Sequence, residues 1–248
     1  MPRYSPLRFR VFDTCRLRYK YQYLDKARAY LRPSDTAGSL VHRVLCDFFS
    51  KVLPEERTEG RLIQLYEEGW QALSPNYKRV PGVEAYYEAG LRQVRNFTRC
   101  FDLAARPFAV EAFFQTEVAP GITLFGRMDR IDEEPDGSLH IIDYKTGEQP
   151  GEIDAKQLRL YAIMVEQELK RPVSRASFWY LDDGSVWTMD LSEADKRQAF
   201  EETAAAAHEM ESMAEFPPAI GPHCAYCPYL RSCEFRDEIA ARREQEGW

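Results

Sequence analysis

Apolar positions in the first hundred residues recur at helical spacing. Leu40, Val41, Val44, Leu45, Phe48, Phe49 and Val52 make one stripe from about Gly38, Ile63, Tyr66, Trp70 and Leu73 a second, and Val83, Tyr87, Val94, Phe97 and Phe101 a third. Ser5-Pro6 offers an N-cap and a first-turn proline to an earlier helix running toward Lys26, with a break near Asp13. From Phe108 the runs become strand-like: FAVEAFFQTEV, GITLFGRMDRID and SLHIIDYKTG, the last two joined by the turn-forming EEPDG. A helix is predicted from Asp154 to about Leu169, followed by strands RASFWYL and SVWTMDL around Asp182-Asp183-Gly184. Ser192 and Asp195 then open a helix to about Phe216 in capping-box fashion, and a Pro- and Cys-bearing tail ends in a polar helix. With no internal repeat and no low-complexity linker, the pattern predicts one α/β domain over 1–248. It divides into a helical part (1–105), an α/β core (106–191), and a helix with the cysteine-bearing tail (192–248).

Composition adds little to this picture. The 248 residues are 44% hydrophobic and 29% charged, and no apolar run approaches the ~18 residues of a membrane span. The N-terminal MPRYSPLRFRVFD is basic but lacks the apolar region of a secretory signal, so a cytoplasmic address and no membrane partner are expected. Charge is more informative, because the net of -7 conceals an asymmetry. Residues 1–32 hold nine Lys/Arg against Asp13 and Asp25, interleaved with Tyr4, Phe9, Phe12, Tyr19, Tyr21, Tyr23 and Tyr30. Such a segment is either a backbone-tracking, base-stacking surface for single strands or an amphipathic helix with its aromatics in the core.

The candidate chemistry begins in LHIIDYKTG. Strand alternation puts Asp143 and Lys145 on one face, roughly 6.6 Å apart. Asp129, in the neighbouring strand of the hairpin, converges on them, and carboxylates that close suit a hard divalent ion. A lysine beside them can orient water and steady charge growing on a phosphate, a combination fitted to phosphodiester hydrolysis. The alternative is an Asp143–Lys145 ion pair on a surface strand, with Asp129 paired to Arg127 or Arg130.

Six cysteines stand at 15, 46, 100, 224, 227 and 233, and CAYCPYLRSC gives C-x2-C-x5-C. Three soft ligands need a fourth for either tetrahedral zinc or a [4Fe–4S] cluster. His223 is adjacent and Cys15 is far upstream, and spacing alone leaves Zn²⁺ and the cluster both open. Cys46 and Cys100, on predicted helices with apolar neighbours, are expected to be buried thiols.

Taken in order, GSLVH ending at His42, GRMDRID with Asp129, IIDYKTG with Asp143 and Lys145, and QLRLY with Gln157 and Tyr161 resemble the RecB-like branch of the PD-(D/E)XK nucleases. The resemblance runs from about Ser5 to Cys233 and implies a restriction-endonuclease-like α/β core with a mixed sheet. By it, Asp129, Asp143, His42 and the carbonyl of Tyr144 would hold Mg²⁺ or Mn²⁺, and Lys145 would be the catalytic lysine. Gln157 and Tyr161 would brace the site or grip a phosphate, and Glu111 occupies the place of a recurrent family glutamate. The iron–sulfur subset of this branch, which includes AddB-type subunits and CRISPR-adaptation nucleases, has one early cysteine and a late C-x2-C-x5-C. Cys15, Cys224, Cys227 and Cys233 match it, although Arg16 stands where the family often has proline. A [4Fe–4S] cluster there would staple the N- and C-terminal regions. The implied activity is Mg/Mn-dependent hydrolysis of DNA, single-stranded or at ends, as an exonuclease in repair, recombination or CRISPR adaptation. The products would carry 5′-phosphate and 3′-hydroxyl ends. No P-loop motif occurs, so a helicase or CRISPR integrase would act as a partner. Two other readings stand beside this one: a DNA-binding scaffold subunit whose catalysis is dispensable, and a zinc-bound regulatory protein.

Overall fold

The computed structural model describes residues 3–30 and 32–248. In chain order the elements are β1 (Arg3–Tyr4), α1 (Pro6–Thr14), α2 (Arg16–Tyr19) running into a π-turn (Lys20–Leu24), α3 (Pro33–Lys51), α4 (Glu59–Gln71), α5 (Pro75–Lys78) and α6 (Val83–Cys100). There follow β2 (Ala109–Ala119), β3 (Ile122–Glu133), β4 (Leu139–Lys145), α7 (Lys156–Leu169), β5 (Val173–Tyr180), β6 (Val186–Asp190), α8 (Glu193–Ser212) and α9 (Arg236–Glu246). They form two compact units, one of residues 33–116 and 125–200, the other of 1–32, 117–124 and 201–248.

The larger unit is built on a mixed sheet in which β3, β4, β5 and β6 are successive neighbours and β2 pairs with β3. β4 runs antiparallel to β3 (Arg130↔Ile142, Ile131↔Ile141) and parallel to β5 (Ile141↔Ala176, Asp143↔Phe178), a pairing that requires α7 as its crossover. β4 lies between two neighbours, and apart from the half-buried His140 its residues from Leu139 through Tyr144 are buried, Asp143 and Tyr144 included. Leu40, Val41, Val44, Leu45, Phe48 and Phe49 of α3 pack with α4 and α6 and with Ile142 and Tyr144 in one core cluster. Tyr144 meets Phe97 edge-on at 5.7 Å, and Trp179 stacks on Phe101 at 4.1 Å. α7 is buried along Leu158, Leu160, Tyr161, Ala162, Ile163, Met164 and Val165, so only its polar residues mark its outer side.

In the smaller unit Ser5 caps α1 by accepting from the N–H of Arg8, with Pro6 at the first turn. The helix breaks at Cys15, whose backbone is extended, rather than at Asp13. Tyr4, Phe9, Phe12 and Tyr19 are all under 3% exposed, so these basic-segment aromatics are core residues and the amphipathic reading holds for them. Arg8 lies over the rings of Tyr4, Tyr19 and Tyr23 instead of offering them to a ligand. β1 lies parallel to the start of β3, Arg3 opposite Thr123 and Tyr4 opposite Leu124. Among the described residues, no helix is long and apolar enough to cross a membrane.

Candidate metal and catalytic centre

α3 brings His42 to the end of the sheet because Gly38, one turn earlier, has no side chain. A Cβ there would come within 2.9 Å of Thr146 Oγ1, just past β4. The helix thus rests against the chain leaving β4, and His42 Nδ1 lies 3.1 Å from Asp129 Oδ1. A second glycine does the same for α7. At Gly126 a Cβ would meet Tyr161 and Met164 at 2.9 Å, so its bareness seats the helix carrying Gln157 and Tyr161 on β3.

The β3–β4 register reaches Arg130↔Ile142, and one step further the side chain of Asp129 meets β4: its Oδ2 accepts from the N–H of Tyr144 at 2.8 Å. One oxygen is thereby anchored to β4 while the other faces His42. Glu111 completes the group. Donor atoms of His42, Glu111 and Asp129 all lie within 4.8 Å of one another, and they are the set that does so among the described residues. Glu111 reaches them from a left-handed backbone, φ 49°, within β2. A non-glycine residue in that region costs on the order of 1 kcal/mol or more and is found where position matters more than comfort.

Asp143 and Lys145 stand beside this group and are joined to each other. Lys145 Nζ is 2.6 Å from Asp143 Oδ2 and donates to Gln157 Oε1 at 2.9 Å. Gln157 in turn donates to Asp143 Oδ1 at 2.8 Å and to the Tyr161 hydroxyl at 2.9 Å. Asp143 is 5% exposed, so this is no surface ion pair. Nor do the nearby arginines neutralise Asp129: Arg127 meets Glu111 at 3.6 Å and Arg130 pairs with Asp132 at 2.6 Å. Tyr161 belongs to the apolar side of α7 and to this network at once. The ring of Tyr144 is buried and faces His42 edge-on at 6.2 Å.

The electrostatics are those of a site short of positive charge. Burial raises the Asp143 carboxyl, the Asp129 charge adds to the rise, and Lys145 opposes it. Glu111 is likewise raised by burial and by Asp129, against Arg127 and His42. Burial lowers His42, but its bond to Asp129 and the carboxylates around it outweigh that and raise it overall. Two raised carboxyls and a raised imidazole gathered around Asp129 are what a cation would relieve.

The smaller unit holds a second cluster. Cys15, Cys224, Cys227 and Cys233 line one cavity with His223 and Arg18. Cys15 Sγ accepts from the N–H groups of Arg18 and Ala219, both at 3.5 Å, and the thiols of Cys227 and Cys233 are raised, first by burial and then by the neighbouring cysteines. Cys46 is half-buried, and Cys100, expected to be buried, is exposed at the last residue of α6. Sequence reading had no signal for the pairing of Arg127 with Glu111; the two short glycine approaches were visible only as Gly38 in GSLVH and Gly126 in FGRMD.

The profile of the PD-(D/E)XK nuclease superfamily matches residues 3–234. The Gene 69 protein of Mycobacterium phage D29 is 36% identical over 104 residues, which take in 39% of this chain and 37% of that protein. The chain therefore spans little more than a third of this relative's length. A crystal structure of a candidate exonuclease from Eubacterium rectale superposes with a TM-score of 0.57 at 11% identity, covering 90% of this chain and 86% of the other, a likeness of fold. On the match across nearly its whole length, the chain belongs to the PD-(D/E)XK nuclease superfamily.

Proposed function

We propose that the protein is a divalent-metal-dependent nuclease that hydrolyses DNA, acting on single strands or ends as an exonuclease. The observation that carries this reading is the juxtaposition of the His42, Glu111 and Asp129 group with the Asp143–Lys145–Gln157 network. Two carboxylates and an imidazole, with Asp143 beside them, fit Mg²⁺ or Mn²⁺, and the nitrogen ligand favours Mn²⁺. When bound, the ion supplies charge to the phosphate oxygens and makes water more acidic. The chain does the rest. Lys145, held by Gln157 and Asp143, positions its ammonium to orient the attacking water and to meet negative charge on the phosphoryl oxygens. Tyr161 fixes the amide of Gln157, which fixes the lysine. In-line attack leaves 5′-phosphate and 3′-hydroxyl ends.

The test is cleavage of 5′- and 3′-labelled single-stranded DNA with Mg²⁺ or Mn²⁺. Wild type should cut, with a ladder whose direction gives the polarity, and Lys145→Ala should fall by roughly 10²–10⁴-fold while keeping its circular dichroism spectrum. A Lys145→Ala protein that cuts at the wild-type rate removes the assignment. A scaffold reading is not favoured, since the carboxylates and the lysine are all in contact with partners that position them.

At the four cysteines the reading is a [4Fe–4S] cluster with a structural role. Supporting it, Cys15 from one end of the chain and Cys224, Cys227 and Cys233 from the other line one cavity. Protein purified without oxygen should contain about four irons per chain, and Cys15→Ala should lose them. Stoichiometric zinc without iron would replace this reading with the zinc alternative.

A further inference from the structure

The sheet face that carries the metal group continues into two phenylalanines. On β3, Asp129, Arg127 and Phe125 alternate onto one face, each step about 6.8 Å. β2 answers from alongside: Glu111 meets Arg127 at 3.6 Å, and the rings of Phe113 and Phe125 lie 6.2 Å apart, tilted by 34°. These cross-strand contacts place Glu111 and Phe113 on the same face despite the left-handed backbone at Glu111. Phe113 is 46% exposed and the Arg127 side chain 61% exposed. Phe113 thus contacts Phe125 and still stays exposed two residues from Glu111, whereas Tyr4, Phe9, Phe12 and Tyr19 of the N-terminal segment are buried and offer no such surface.

We propose that Phe113 and Phe125 form a stacking platform for unpaired bases, with Arg127 on a phosphate flanking the scissile one, so that a single strand lies along β2 and β3 toward the metal group. The inference rests on the nuclease reading above and adds the form of its substrate. A ring face accepts any base, so the platform is indifferent to sequence. It does discriminate pairing, because bases in a duplex are already stacked on one another and leave no face for a side chain. Unpaired nucleotides are the occupant that fits: the platform adjoins a cation and a centre built for a phosphodiester, and the three recur along a single strand in that order.

Binding measured by fluorescence anisotropy on the Lys145→Ala protein, with Ca²⁺ present, separates the outcomes. The probes are a thymidine oligonucleotide and a strand of equal length made of abasic residues. The thymidine strand should bind about tenfold tighter. Phe113→Thr, a substitution suited to an exposed strand position, should collapse that ratio toward one, and Phe113→Trp should restore it. A ratio unchanged in Phe113→Thr overturns the platform even where the wild-type protein cleaves DNA. A wild-type protein that neither binds nor cleaves single strands overturns the nuclease reading and the platform together.

Discussion

Gln157 shows how much a single side chain can organise without itself reacting. Its oxygen accepts from Lys145 while its amide donates to Asp143 and Tyr161, so one residue sets the positions of a base, an acid and a phenol. Partners of this kind are worth about 10–100-fold in activity. Gln157→Ala should therefore lower turnover by that factor with little change in melting temperature, and an unchanged kcat would show that Lys145 finds its position without it. At this scale the sequence was most legible where geometry is local. Alternation alone put Asp143 and Lys145 on one face, and they are in contact. The meeting of His42 with Asp129 spans 87 positions and was reachable only through the ordered motifs. Glu111 too was reachable only through the resemblance, since its position depends on a backbone angle that no strand pattern announces.

Among the elements, helices and strands of the core fall close to where periodicity put them, because their apolar faces are continuous and long. Departures occur where little burial is at stake. α3 begins at Pro33 rather than near Gly38, through a polar first turn with no apolar stripe to reveal it, and β1 and α5 are too short to carry a period. Strands β4 and β5 also hold a polar seam: His140 Nε2 lies 2.7 Å from Ser177 Oγ, which lies 2.8 Å from Thr188 Oγ1. Burial, then the charge of Arg175, holds His140 below its ordinary 6.5, against the pull of Glu134. The unfolded imidazole takes up a proton below about 6.5 while the folded one resists, so this group contributes stability above that pH that is lost as pH falls. The melting temperature should drop between pH 7.5 and 5.5 by more in wild type than in His140→Gln. Equal drops would mean that His140 is not held neutral by the fold.

For the whole molecule, the net charge of -7 says nothing of a local site. What composition could not show is the concentration of acidic groups at one end of the sheet, where Glu111, Asp129 and Asp143 each sit within the field of another. Of the N-terminal aromatics set among positive charges, Tyr4, Phe9, Phe12 and Tyr19 face inward while Tyr30 is exposed, so the amphipathic reading holds for those four. The account therefore makes catalysis depend on a cation that those three acids and His42 are arranged to receive. The most direct measurement strips the protein of divalent ions with a chelator, removes the chelator, and follows cleavage of labelled single-stranded DNA as Mn²⁺ is returned. Cleavage should vanish on stripping, return saturably in wild type at lower concentrations of Mn²⁺ than of Mg²⁺, and fail to return in Asp129→Ala. Cleavage that persists in the stripped protein, or that Asp129→Ala recovers in full, would contradict the account.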